Sequence, residues 1–136
     1  MVNTESKGLI LVREDEFEVQ QYLEMALKCL GYTVQLAQDC DEVINFLKFS
    51  APTVSAVLLD IMMPQRDGLE TLKEIRNIAP DLPVIILSGA SSTLNDVVTA
   101  MKCGATDFIC KSIAHEDLQK SIAQAIERRA TERLQP

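Results

Sequence analysis

The chain has 136 residues, 47% of them hydrophobic and 24% charged, which suits one globular domain and argues against wholesale disorder. A net charge of −7 repels polyphosphate, so direct nucleic-acid binding by this chain is not expected. Cys29, Cys40, Cys103 and Cys110, with no CxxC spacing and His115 as the single histidine, are poor zinc ligands and fit a reducing compartment better than a disulfide framework.

No segment reads as a signal peptide or a membrane span, so a soluble, cytoplasmic protein that does not engage a membrane is expected. Gly8 to Arg13 (GLILVR) reads as a short buried strand. Val19, Tyr22, Leu23, Ala26, Leu27 and Leu30 then recur at spacings of three and four, an amphipathic helix that Gly31 stops. Tyr32 to Ala37 alternates as a second strand. Asp39 with Glu42 predicts a capping box before a helix carrying Val43, Phe46 and Leu47.

Val54 to Leu59 is the third strand. A helix with Leu69, Leu72 and Ile75 on one face follows it and ends before Pro80. Pro83 to Leu87 (PVIIL) is the fourth strand, and Leu94, Val97, Val98 and Met101 mark the fourth helix, stopped by Gly104. Thr106 to Cys110 is the fifth strand, with Cys110 expected to be a small buried hydrophobe despite its neighbour Lys111. Leu118, Ile122, Ala125 and Ile126 form the inward stripe of a last helix. Strands alternating with helices imply a parallel sheet covered on both faces, because each return to a parallel strand needs a crossover.

In such sheets ligands gather beyond the carboxyl ends of the strands. The strand ends here carry Glu14 and Asp15, then Asp60 in "VLLDIMMPQRDG", then Ser88 and Lys111. Two like charges about 4 Å apart repel by roughly 4 kcal/mol at an effective dielectric near 20. Three converging carboxylates therefore call for a neutralising cation. All-oxygen ligands without His or Cys favour a hard ion such as magnesium. A hydroxyl and an ammonium beside that ion suit the outer oxygens of a phosphoryl group, with Asp60 as the nucleophile.

The motifs "ILVREDE", "VLLDIMMPQRDG", "PVIILSGA" and "GATDFICKS" together resemble the receiver domains of two-component response regulators over residues 8–127. The resemblance implies a flavodoxin-like (βα)5 α/β fold with strand order 2-1-3-4-5. It implies phosphorylation of Asp60 by a sensor histidine kinase, with magnesium held by Glu14, Asp15, Asp60 and the backbone carbonyl of Met62. Ser88 and Lys111 would contact the phosphoryl group, and Ser88 and Phe108 would form the switch. Such a domain is no enzyme in the ordinary sense, promoting only its own aspartyl phosphorylation and dephosphorylation.

The face built from the fourth helix, fifth strand and fifth helix would meet a second copy, an output domain or a target protein. Residues 1–7 are expected to be disordered, and residues 128–136 to be a helical extension or the start of a linker to an output domain. "SGASS" and "GATDFICKS" lean toward regulators with a downstream ATPase and DNA-binding domain.

Several residues depart from the family pattern. Glu14 stands where aspartate is usual, and Arg13, where an apolar or small residue is usual, is expected to point to solvent. Ser112 replaces the proline after Lys111, which predicts a trans Lys111–Ser112 peptide, because cis costs ~2.5–4 kcal/mol before a non-proline residue. Phe108 lacks a tyrosine hydroxyl, Gly89 leaves room for a phosphodonor, and neither Met62 nor Ala90 can orient an attacking water, so self-dephosphorylation should be slow.

A dehalogenase-type phosphatase would want a second acid where Met62 stands. The acidic "REDEFE" would repel the phosphate of a flavin. The remaining alternative is a phosphorylation-independent interaction module of the same fold, favoured by Glu14 and Ser112.

Overall fold

The computed structural model describes residues 5–61, 68–90 and 92–134. Its strands are β1 (Leu9–Arg13), β2 (Thr33–Ala37), β3 (Val54–Asp60), β4 (Val84–Ser88) and β5 (Asp107–Cys110). They form one parallel sheet in the order β2-β1-β3-β4-β5. The helices between and after them are α1 (Phe17–Cys29), α2 (Cys40–Ser50), α3 (Gly68–Ile78), α4 (Leu94–Lys102) and α5 (His115–Arg133). This is the parallel sheet that the alternating pattern predicts, in the flavodoxin-like strand order that the resemblance implies.

Two apolar cores lie on opposite faces of the sheet, because side chains alternate along each strand. On one face Leu11, Val57, Leu59, Val84 and Ile86 pack with Val43, Ile44 and Leu47 of α2, Leu72 and Ile75 of α3, and Ala100 of α4. On the other, Ile10, Val12, Leu58, Ile85, Leu87 and Ile109 meet Leu23, Ala26 and Leu27 of α1 and Leu118, Ile122 and Ala125 of α5. The central strands are apolar on both sides, as burial under two helical layers requires.

The helix boundaries follow local chemistry. Gly31 and Gly104 take positive φ (99° and 109°) just after α1 and α4, the left-handed stop that a side chain resists. At α2 the predicted capping box forms differently. The Asp39 carboxylate accepts from the Glu42 amide at 2.8 Å, but Glu42 reaches back to the amide of Gln38 rather than that of Asp39. The full reciprocal box stands instead at α4, where Thr93 Oγ1 accepts from the Asp96 amide and Asp96 Oδ2 from the Thr93 amide.

Three sequence expectations change. Arg13 does not point to solvent: it is 5% exposed, at the end of the central strand β1 between Ala37 of β2 and Leu59 of β3. Alternation puts it on the Leu11 face, where strands on both sides and the α2–α3 layer enclose the stem. Of the residues marking α4, Val97 is buried, whereas Leu94, Val98 and Met101 are exposed; Val97 and Ala100 face the sheet. Cys110 is exposed, because β5 is an edge strand and its last residue lies at the rim. No helix among the described residues is long and apolar enough to cross a membrane.

Candidate functional site

The chain leaves β1 for β2 on one side and returns to β3 on the other, so the sheet changes winding direction between β1 and β3. A crevice opens there at the carboxyl ends. Glu14 and Asp15 follow β1 directly, and Asp60 ends β3. One carboxylate oxygen from each of Glu14, Asp15 and Asp60 lies within 4.8 Å of the others. Glu14 and Asp60 are buried and Asp15 is exposed, so the cluster meets solvent at Asp15.

Lys111, the first residue after β5, reaches into this cluster. Its ammonium donates to Asp60 Oδ2 at 2.8 Å, Glu14 Oε1 at 3.0 Å and Glu16 Oε1 at 2.7 Å. An ammonium has three donors, and all are used. Burial by itself would lower the Lys111 pKa, but hydrogen bonds to Asp60, Glu16 and Glu14 outweigh it and hold the ammonium well above its ordinary range. Burial pushes the Glu14 carboxyl up, opposed by the Glu16 amide and Lys111 and assisted by the neighbouring Asp60 charge. Glu14 Oε1 accepts both the Glu16 amide (2.9 Å) and Lys111, while Glu14 Oε2 is buried with no partner among the described residues.

That orphaned oxygen is the test of whether the pocket suits a cation. A buried carboxylate oxygen without a donor costs free energy unless something positive meets it. The donors gathered here are all hard oxygens, which fit magnesium and offer nothing to a soft metal. Met62, the fourth expected ligand, lies outside the described residues.

The backbone places the other expected residues. Ser88 ends β4, half-buried, and its carbonyl accepts the Lys111 amide at 2.9 Å, which sets the start of the Lys111 side chain beside the pocket. Gly89 serves the same lysine. A Cβ there would stand 3.2 Å from Lys111 Cδ, so the space expected to admit a phosphodonor is already lined by the lysine stem. Phe108 is not part of the cluster. It is 44% exposed on β5, on the α4 side of the sheet. Every peptide bond among the described residues is trans, Lys111–Ser112 included.

Glu16 was not singled out by the sequence. The available signal was its place before α1, since glutamate is a poor N-cap, and its side chain indeed makes no cap hydrogen bond.

The model of the response regulator receiver domain family matches residues 10–123. The chain belongs to this family. The receiver domain is 37% identical over 122 residues to the response regulator MprA of Mycolicibacterium vanbaalenii, covering 90% of this chain and 51% of that protein. It is 34% identical over 127 residues to the probable transcriptional regulator ycf27 of Guillardia theta, covering 93% of this chain and 48% of that one. Among solved structures it matches a response regulator receiver domain protein from Clostridium thermocellum with a TM-score of 0.84 and 31% identity, over 91% of this chain and 98% of that chain. NtrX from Brucella abortus matches with a TM-score of 0.83 and 31% identity over 92% of this receiver domain, which spans 28% of NtrX. The chain thus spans about half the length of the curated relatives it matches.

Proposed function

We propose that this receiver domain is the phosphoacceptor of a two-component response regulator, and that Asp60 takes the phosphoryl group of a phosphohistidine on a histidine kinase. The N–P bond of the donor breaks as a bond forms between phosphorus and an Asp60 carboxylate oxygen, and the donor imidazole, protonated on its other ring nitrogen, leaves neutral. One observation carries this reading: the buried Asp60 carboxylate ends a central strand inside the three-acid pocket, with the Lys111 ammonium 2.8 Å away.

Glu14, Asp15 and Asp60, with the backbone carbonyl of Met62, would hold magnesium, and the orphaned Glu14 Oε2 supports that assignment. When bound, the ion supplies positive charge against the phosphoryl oxygens, the main demand of phosphoryl transfer. Lys111 supplies the second positive charge. Ser88, at the end of the strand beside β3, would donate its hydroxyl to a phosphoryl oxygen, and Phe108 would repack as Ser88 moves. Such a bias between two packings is the general form of a switch.

The signal would leave through α4, β5 and α5. Leu94 (79% exposed), Val98, Met101 and Phe108 are large apolar residues left uncovered on α4 and β5, which supports a second copy, an output domain or a target protein docking there. Residues 8–127 are assigned as the receiver domain, 1–7 as an N-terminal segment, and 128–136 as an extension toward an output domain. A cytoplasmic location and no direct contact with nucleic acid accord with this reading.

The test is incubation with acetyl phosphate and magnesium, read by intact mass. A single phosphoryl addition that Asp60→Asn abolishes is expected. No addition to the wild type would leave the fold acting as a phosphorylation-independent interaction module.

A further inference from the structure

We propose that Glu16 is a positioning residue which, in the resting protein, occupies the Lys111 donor that a phosphoryl group on Asp60 would take. The inference rests on the phosphoacceptor reading above. It starts from the saturation of Lys111. Its three donors go to Asp60, Glu14 and Glu16, and a phosphoryl oxygen can be met only if one of these acids gives way.

The three acids differ in what release costs them. Glu14 and Asp60 are buried, and a carboxylate that gives up a charged donor there bears a desolvation penalty that water relieves poorly. The Glu16 side chain is 62% exposed, so water replaces the ammonium at little cost. The Glu16 contact is therefore the one that yields. Geometry supports the same assignment. Glu16 precedes α1, yet its side chain leaves the helix terminus uncapped and crosses to a residue 95 positions away. Its own amide donates to Glu14 Oε1, which fixes its backbone against the pocket.

An acid in this place has two consequences. It holds the ammonium over Asp60 while no phosphoryl group is there, so Lys111 does not swing to solvent. It also competes with the arriving anion for that donor. Removing it should tighten the binding of a phosphoryl mimic and leave Lys111 more reactive.

The test uses the full chain as wild type, Glu16→Gln and Glu16→Asp. Beryllofluoride binding at saturating magnesium is followed by fluorine NMR. Labelling of Lys111 by limiting acetic anhydride, with neither magnesium nor fluoride present, is read by peptide mass spectrometry. Both variants should bind beryllofluoride about twofold to fivefold more tightly, the range set by one exposed ion pair. Both should also label faster at Lys111. Aspartate keeps the charge but is a methylene too short for the contact, so agreement of the two variants separates the hydrogen bond from the general field.

Wild-type binding that Glu16→Gln leaves unchanged or weakens, or Lys111 labelling that it leaves unchanged, overturns the role of Glu16. Absence of beryllofluoride binding by the wild type overturns the phosphoacceptor reading itself.

Discussion

The Tyr22 hydroxyl donates to the Ile113 carbonyl at 2.8 Å, joining the middle of α1 to the loop that follows Lys111. Ser112, not a proline, follows Lys111, and the Lys111–Ser112 bond is trans. The loop therefore lacks the rigidity of a fixed ring, and the tyrosine supplies a cross-link instead. Tyr22→Phe should cost about 0.5–1.5 kcal/mol in urea unfolding, the usual worth of one such hydrogen bond. The same substitution should speed amide exchange around Ile113, because that carbonyl loses its protein partner. Unchanged exchange there would mean that packing against Val19 and Tyr22 holds the loop without the hydroxyl.

Gly68 opens α3 so close to β3 that a Cβ there would stand 2.5 Å from Ile61 Cα and 2.9 Å from its carbonyl oxygen. Gly68 is not among the glycines with positive φ; the requirement is for close approach. Gly68→Ala forces backbone against backbone one residue beyond Asp60. A loss of about 1–3 kcal/mol is expected, typical of overpacking, with weaker magnesium binding as the end of β3 shifts. Calorimetric titration of magnesium beside thermal unfolding separates the two effects.

Much of this site was legible before any coordinates. Apolar runs of strand length alternating with helical stripes allow few arrangements, and the two-sided burial of β1, β3 and β4 follows from the near-continuous apolar runs at their centres. Acids at successive strand ends must converge once the sheet is parallel. What stayed hidden depended on choices between equivalent faces. The apolar residues that mark α4, Leu94, Val97, Val98 and Met101, spread over two sides of the helix, and only Val97, with the smaller Ala100, fits against the sheet. The Glu16–Lys111 contact joins residues 95 apart, and no local pattern announces it.

Asp81, between α3 and β4, anchors the far end of α5. Arg129 Nη2 donates to its Oδ1 at 3.0 Å, and Arg133 donates to both oxygens. Hydrogen bonds from Arg133 and Arg129 hold the Asp81 carboxyl well below its ordinary 3.8. A carboxylate depressed in the folded state contributes stability that is present above its unfolded value and lost as pH falls through 3.8 toward the folded value. Asp81→Asn should therefore flatten the acid limb of the stability profile below pH 3.8. At neutral pH it should cost no more than about 1 kcal/mol, since solvent screens a partly exposed pair. Urea midpoints measured across the acid range for both proteins check this, and added salt should narrow the difference.

Arg13 presents the opposite situation, a buried charge whose Nε and Nη1 have no hydrogen-bond partner among the described residues. A guanidinium in that state costs free energy that an apolar side chain of similar length would not. Arg13→Met keeps the stem that fills the space beside Leu11 and removes the unmet donors. It should raise stability by about 1–3 kcal/mol, the penalty usual for unsatisfied buried donors. The residue also adjoins Glu14 in the chain and pairs with Leu59, the neighbour of Asp60, so its positive charge weighs against a cation at the three acids. Magnesium should consequently bind Arg13→Met more tightly than wild type. A variant that is less stable, with weaker magnesium binding, would mean that the guanidinium meets an anionic partner in the folded protein.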